Sequence, residues 1–213
     1  MKNFFEYIKR PFLVTLLLTL MCGLAYPLLL TGISQIVFPI QSNGSLIKID
    51  GKAVGSELVG QNFTDVRFMK CRPSAVNYNT YTQEEKENGS YLEIGSGSNN
   101  YAATNPDLLK RVEKDIESFL DANPSVKKED IPTDLLTASG SGLDPHISPK
   151  SAGIQVPALV EATGLSEDTI NEIIKNNTQG KFLGIFGEET VNVLKVNLQI
   201  AKKIGIISAE DQS

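Results

Sequence analysis

A chain of 213 residues, 41% hydrophobic and 21% charged, is long enough for one ordinary domain and an additional element. Its formal charge of -5 is unevenly spread: Lys2, Glu6, Lys9 and Arg10 open the chain, and no charged residue follows until Lys48. Of the 20 Lys+Arg and 25 Asp+Glu, that head takes three and one, so the rest holds 17 against 24, a net charge of about -7. An acidic body without a basic cluster argues against a nucleic-acid partner, since binding phosphates requires Lys and Arg to displace counterions.

The run "PFLVTLLLTLMCGLAYPLLLTGISQIVFPI" (Pro11 to Ile40) is the strongest local signal. A bilayer is crossed by roughly 20 mostly apolar residues in a helix, and Phe12 to Ile33 supplies them without a charge. A buried core helix seldom carries an uncharged run of this length. A cleaved signal has a shorter apolar region and an A-x-A-like cleavage site, and none follows cleanly here, while bulky Met21 before Cys22 does not suit a lipoprotein signal. The expected organisation is therefore residues 1–10 in the cytoplasm, a transmembrane helix over 11–40, and an extracytoplasmic domain over 41–213. Lys2, Lys9 and Arg10 precede the span and no Lys or Arg follows it closely, so the positive-inside bias keeps the N-terminus in the cytoplasm. Thr15, Thr19 and Gly23 recur every fourth residue and form a candidate helix-packing face. Scattered small residues in a plain anchor would look the same. Pro27 removes one backbone donor and is expected to kink the span.

After a polar linker at 41–45, "LIKIDGKAVG" reads as a strand, a turn at Asp50-Gly51 and a second extended piece. Residues 77–100 read as loop, with a weak strand at "SYLEI". "TNPDLLKRVEKDIESFLDANP" is an amphipathic helix capped by Asn105, with Pro106 in its first turn and Leu109, Val112, Ile116, Phe119 and Leu120 on one face. "DLLTAS" reads as a short strand, and "SPKSAGIQVPALVEATG" as a helix from the cap Ser148 to the terminator Gly164. A third helix, capped by Ser166, turns Ile170, Ile173 and Ile174 inward. A strand over Val191 to Val196 and a helical tail follow. The expected class is a single transmembrane helix plus one α+β or α/β domain.

The stretch "TASGSGLDPHISPKSAG" (Thr137 to Gly153) holds the only histidine, His146, in a Gly- and Ser-rich setting that invites a catalytic reading. One histidine rules out a His-based zinc site, and Cys71 adds too little for a metal. Cys22 lies in the apolar run, so Cys71 has no disulfide partner in the outer domain. A Ser-His-Asp set assembled from Asp144 and His146 would rest on composition alone. "GSGSNN" (Gly95 to Asn100) and "SGSGLDP" both lack the lysine of a phosphate loop. Both are better explained as turns at dihedrals glycine permits.

Four segments, in order, carry a resemblance: "RPSAVNYN" (Arg72 to Asn79), "SGSNNYAATNPDLLKRV" (Ser96 to Val112), "DLLTASGSGLDPHISPKSA" (Asp134 to Ala152) and "LGIFGEETVNVLKVNL" (Leu183 to Leu198). Together with the N-terminal span they resemble KdpC, the small single-span subunit of the bacterial potassium-importing P-type ATPase. Cys71 departs from that pattern, which usually has glycine there, and the acidic stretch at 83–89 is particular to this chain. The resemblance implies a complex in the bacterial cell membrane with a channel-like potassium-translocating subunit, a P-type ATPase subunit and a very small membrane peptide. ATP and K+ would be handled by those partners, with no cofactor bound directly here, and the family's assigned role is a catalytic chaperone that raises the ATP affinity of the ATPase subunit. Within the matched segments, Arg72, Pro73, Ser74, Asn105, Pro106, Ser139, Gly140, Ser141, Gly142, Leu143, Asp144, Pro145 and His146 are the candidate partner-contact or structural positions. The rival expectation is an independent anchored surface protein, either a binding module or a hydrolase using the 137–153 loop.

Overall fold

The computed structural model of the chain describes residues 2–90 and 94–207. It divides into two compact units, Met1–Leu46 and Ile47–Ser213.

The first unit is helical. Helix α1 (Lys2–Leu20) runs through Pro11, a π-helical turn covers Met21–Ala25, and α2 (Tyr26–Val37) continues the rod. Glu6–Val37, 32 residues, is long and apolar enough to cross a membrane. At about 1.5 Å per residue that rod is near 48 Å, longer than the roughly 30 Å hydrocarbon layer. Pro27 explains the π turn. It lacks an N–H and its ring crowds the carbonyl of Gly23, so the ladder widens and the Tyr26 N–H reaches back five residues to the Met21 carbonyl. The expected kink is thus taken up as an irregular turn one step earlier. Phe38 leaves the helical region (φ -133°, ψ 59°), as the residue before a proline is pushed to do, and Pro39 opens the short α3 (Pro39–Ser42).

The hairpin of β1 (Leu46–Ile49) and β2 (Lys52–Ser56) belongs, from Ile47 onward, to the second unit. Asp50 and Gly51 both take left-handed dihedrals at its two-residue turn, as the Asp-Gly pair predicts. Helix α4 (Gln83–Asn88) lies inside the segment read as loop. Thr82 and Glu85 form a reciprocal capping box, a signal that the polar composition masked. Tyr91, Leu92 and Glu93 of the suggested "SYLEI" strand lie outside the described residues.

Helix α5 (Pro106–Ala122) matches its expected bounds, and the Asn105 side chain accepts the Asp107 N–H at 2.8 Å. Ile116, Phe119 and Leu120 pack on the core, whereas Leu109 remains 53% exposed. The strand expected at "DLLTAS" is absent. Thr133–Leu135 form a 3-10 turn, because the Asp134 carboxylate is drawn to Ser148 and Ser151. The extended piece lies further on, as β3 (His146–Ile147).

The helix expected from Ser148 to Gly164 is broken into α6 (Pro149–Gly153) and α7 (Val156–Thr163), since Pro157 cannot donate back to the preceding turn. Helix α8 (Glu167–Asn176) buries Ile170, Ile173 and Ile174 as expected. Strand β4 (Thr178–Gln179) leads by a ten-residue loop to β5 (Thr190–Asn192), and α9 (Val193–Lys203) follows without a gap. The strand read as far as Val196 stops at Asn192, whose side chain accepts the Lys195 N–H at 3.1 Å and starts the helix.

The small sheet has the order β3-β5-β4, both pairs antiparallel, with Ile147 and Thr178 opposite Val191 on its two sides. An antiparallel sheet with helices packed beside it is α+β, which decides between the two expected classes. Val191, Val193, Val196 and Ile200 are fully buried against Ile170 of α8 and Met69 of the long irregular segment. Truncating such an isoleucine to alanine costs about 2–5 kcal/mol.

Candidate functional site

The frame of the site is a stretch of irregular backbone fastened by side-chain amides. Asn197, 2% exposed on α9, accepts the Met69 N–H at 2.8 Å and donates to the Met69 carbonyl at 2.9 Å. Gln155, 3% exposed, accepts the Lys70 N–H at 2.8 Å and donates back to its carbonyl at 3.3 Å. Each amide replaces a strand partner, so a segment without secondary structure can cross the core with its polar groups satisfied. The Lys70 ammonium donates to the carbonyls of Phe63 and Asp65 at 2.7 and 2.9 Å. Burial lowers its pKa.

This frame delivers Cys71, Arg72, Pro73 and Ser74 to the Gly- and Ser-rich turn. The Arg72 guanidinium lies 3.1 Å from Asp144 and reaches the Thr137 carbonyl at 3.4 Å. Asp144 also accepts the His146 N–H at 3.0 Å, and its carboxylate stands 3.5 Å from the imidazole Nδ1. The hydrogen bond from the His146 side chain, then the His146 backbone bond and Arg72, hold the Asp144 carboxyl below its ordinary range against a partial burial penalty. The Ser74 hydroxyl donates to the Gly142 carbonyl at 2.6 Å and accepts N–H groups from Val76 and Tyr78. Tyr78 closes the clasp from a left-handed backbone (φ 52°), its hydroxyl donating to the Arg72 carbonyl at 2.8 Å. Burial raises the pKa of that phenol and pushes the Cys71 thiol up to about 11.

Gly142 is the glycine this turn requires. Its φ is +67°, and a Cβ there would stand 2.7 Å from Val76 and 2.8 Å from the Gly97 carbonyl. Gly140 has open space around it and no such dihedral. The second loop, "GSGSNN", packs directly on this one: the Gly97 N–H donates to the Ser141 carbonyl at 2.8 Å, and the Ser96 hydroxyl does so at 3.1 Å. Gly60 donates to the Leu143 carbonyl at 2.8 Å and approaches so closely that a Cβ would lie 2.7 Å from the Asp144 carbonyl. On the far side, the Val193 N–H donates to the Pro145 carbonyl at 3.0 Å, and His146 pairs with Asn192 as β3 begins. Ser148 then caps α6, with Asp134 accepting both its N–H and its hydroxyl. Hydrogen bonds from Ser151 and Ser148 outweigh burial and lower the Asp134 pKa.

The structure therefore brings Arg72, Pro73 and Ser74 together with the run from Ser139 to His146. Asn105 and Pro106 serve separately, at the start of α5. Thr15 and Thr19 lie on regular, exposed helix, and Gly23 lies within the π turn with no atom near its missing side chain. The serine hydroxyls around His146 are otherwise engaged: Ser74 with Gly142, Ser148 with Asp134, Ser139 with Ser141 at 3.4 Å. Among the described residues, no three His, Cys, Asp or Glu side chains gather to hold a metal. Tyr78, Asp134, Gln155, Asn197 and Gly60 were not singled out from the sequence. Buried amides that bond a distant backbone carry no local signature, although the punctuated "RPSAVNYN" did point to the neighbourhood of Tyr78.

The family model described as "K+-transporting ATPase, c chain" matches residues 8–202. A potassium-transporting ATPase KdpC subunit from Clostridium kluyveri is 69% identical over 208 residues, covering 98% of this chain and 99% of its own. The corresponding subunit of Clostridioides difficile is 57% identical, with coverage of 94% and 99%, and that of Caldanaerobacter subterraneus is 48% identical, with 93% and 96%. The matched residues include both the apolar helix and the clasped turn, so the chain belongs to the KdpC family, a subunit of the potassium-transporting ATPase.

Proposed function

We propose that this subunit is a non-catalytic assembly partner within the potassium-importing complex. Its span packs among the membrane helices, and its outer domain docks on the extracytoplasmic side of the potassium-translocating subunit. ATP hydrolysis and the ion path belong to the partner subunits, including a P-type ATPase subunit and a very small peptide. The observation that carries this reading is the clasped turn: the side chains that look catalytic in the sequence are committed to holding backbone, with Arg72, Asp144, His146 and Ser74 bonded to one another or to main chain. The charge asymmetry across the apolar helix supports an N-terminus in the cytoplasm and an outer domain beyond the membrane. From there the family's role of raising ATP affinity is exerted through the partner subunits, without contact with cytoplasmic nucleotide. The net charge of about -7 also favours cations near the entrance, within a screening length of about 8–10 Å.

The decisive experiment is removal of Ile47–Ser213 from the chain in the co-expressed complex. Recovery of the assembled complex, its potassium affinity and its apparent ATP affinity should all fall, and unchanged values sink the proposal. Asp144→Ala together with His146→Ala should leave ATP hydrolysis in a correctly assembled complex; its abolition would make the turn an active site. Protease added to intact cells should reach the outer domain. Leucine at Thr15, Thr19 and Gly23 should weaken co-purification if that face is the packing face.

A further inference from the structure

The loop between β4 and β5 carries a feature that folding does not explain. Phe182 and Phe186 exchange backbone hydrogen bonds at 2.8 and 3.0 Å, making a small hairpin of its own. Its side chains are Phe182, Leu183, Ile185 and Phe186, exposed at 71%, 74%, 75% and 63%. Leu183 holds φ +53° beside Gly184 at +74°, a conformation in which asparagine is favoured and leucine penalised. Neither local preference nor burial selects leucine there. The tip has a firm mount, because the chain after it runs into the fully buried Val191 of β5 and Val193 of α9.

Resting on the docking role proposed above, we infer that the Phe182–Phe186 tip is the anchor by which the outer domain seats in an apolar recess of a partner protein subunit. Two other occupants fit less well. The four side chains offer on the order of 500 Å² of apolar surface, given the ~150–250 Å² of large side chains. A symmetric pair of tips would therefore bury only about 1,000 Å², below what a stable dimer of copies usually needs. A contact of that size suffices when the span already holds the two proteins together, because the second contact is then intramolecular in effect. A lipid surface is disfavoured by charge: exposed Glu188 and Glu189 lie just past the tip and outnumber the one exposed cation before it, Lys181, in a body of net charge about -7, and anionic headgroups repel that excess. The same two carboxylates suit a recess with a basic rim. The partner is thus a protein surface with an apolar floor and Lys or Arg at its edge.

A photoactivatable p-benzoylphenylalanine placed at Phe186 in the full complex tests the occupant. An adduct on the extracytoplasmic surface of another subunit is expected. Adducts only to lipid or to a second copy of this chain, or none above a control at exposed Glu167, overturn the inference. Phe182→Ser with Phe186→Ser should lower recovery of the complex about tenfold or more, as loss of interface hot spots does, while the melting temperature of the detergent-solubilised chain stays unchanged. Unchanged recovery overturns the inference. Truncation of Ile47–Ser213 separates the two levels. If truncation lowers recovery and the tip variant does not, only the anchor falls; if neither does, the docking role falls with it.

Discussion

Two turns of this domain invert what their compositions suggest. The turn from Ser139 to His146 is polar, glycine-bearing and holds the lone histidine, yet its groups are bonded to Arg72, Ser74, Gly60 and Gly97. The turn from Phe182 to Phe186 has the composition of a core, yet it stands in solvent. Polar groups that satisfy one another inside a fold add rigidity and specify a single arrangement, whereas apolar groups left outside gain nothing from folding. Composition indicates what a segment can do, and its partners decide which of those things it does.

That contrast can be broken by substitutions of graded severity. The largest effect is expected from Asn197→Leu, which strips the Met69 N–H and carbonyl of their partners in a fully buried place. Each stranded group costs about 1–3 kcal/mol, so thermal unfolding of the solubilised chain should move down by roughly 5–15 °C. Gly142→Ala comes next. The new methyl meets the Gly97 carbonyl and carries the left-handed penalty, a loss of about 2–4 kcal/mol in denaturant titration. A wild-type curve for Gly142→Ala would show that the polar turn is not part of the frame.

Asp144→Asn should have a smaller effect, about 1 kcal/mol at neutral pH for a partly exposed pair. It also alters the acid limb. The folded carboxyl has a lowered pKa, first through its hydrogen bond with His146. Its contribution is therefore complete above the unfolded value of about 3.9 and is lost as pH falls through the folded one. The melting temperature of the variant should accordingly depend less on pH below 4 than that of the parent chain. The smallest change is expected from Leu183→Asn, which relieves the left-handed leucine and should raise stability by up to about 1 kcal/mol in the same titration. A clear loss of stability instead would show that Leu183 packs in the free domain.

The apolar span, the caps at Asn105, Ser148 and Ser166, the Asp-Gly hairpin and the inward face of α8 were legible because each depends on residues within a few positions of one another. The same locality misled where long-range partners won. Asp134 leaves an extended reading because Ser148 and Ser151 hold its carboxylate, and Leu109 stays outside although it sits on the apolar stripe of α5. The pairing within the clasp was invisible, although both of its segments stood among the candidate positions: Arg72 and Asp144 are 72 positions apart, and Asn197 reaches across 128 to Met69.

The apolar helix, the charge asymmetry around it and the family could be read from composition and from motifs in fixed order. That the turn around His146 is bonded to Arg72, Ser74, Gly60 and Gly97, and that the phenylalanine turn is exposed, came with the packed fold alone. Burial and hydrogen bonding are properties of pairs brought together by the fold, and neither member of such a pair carries a mark of the other.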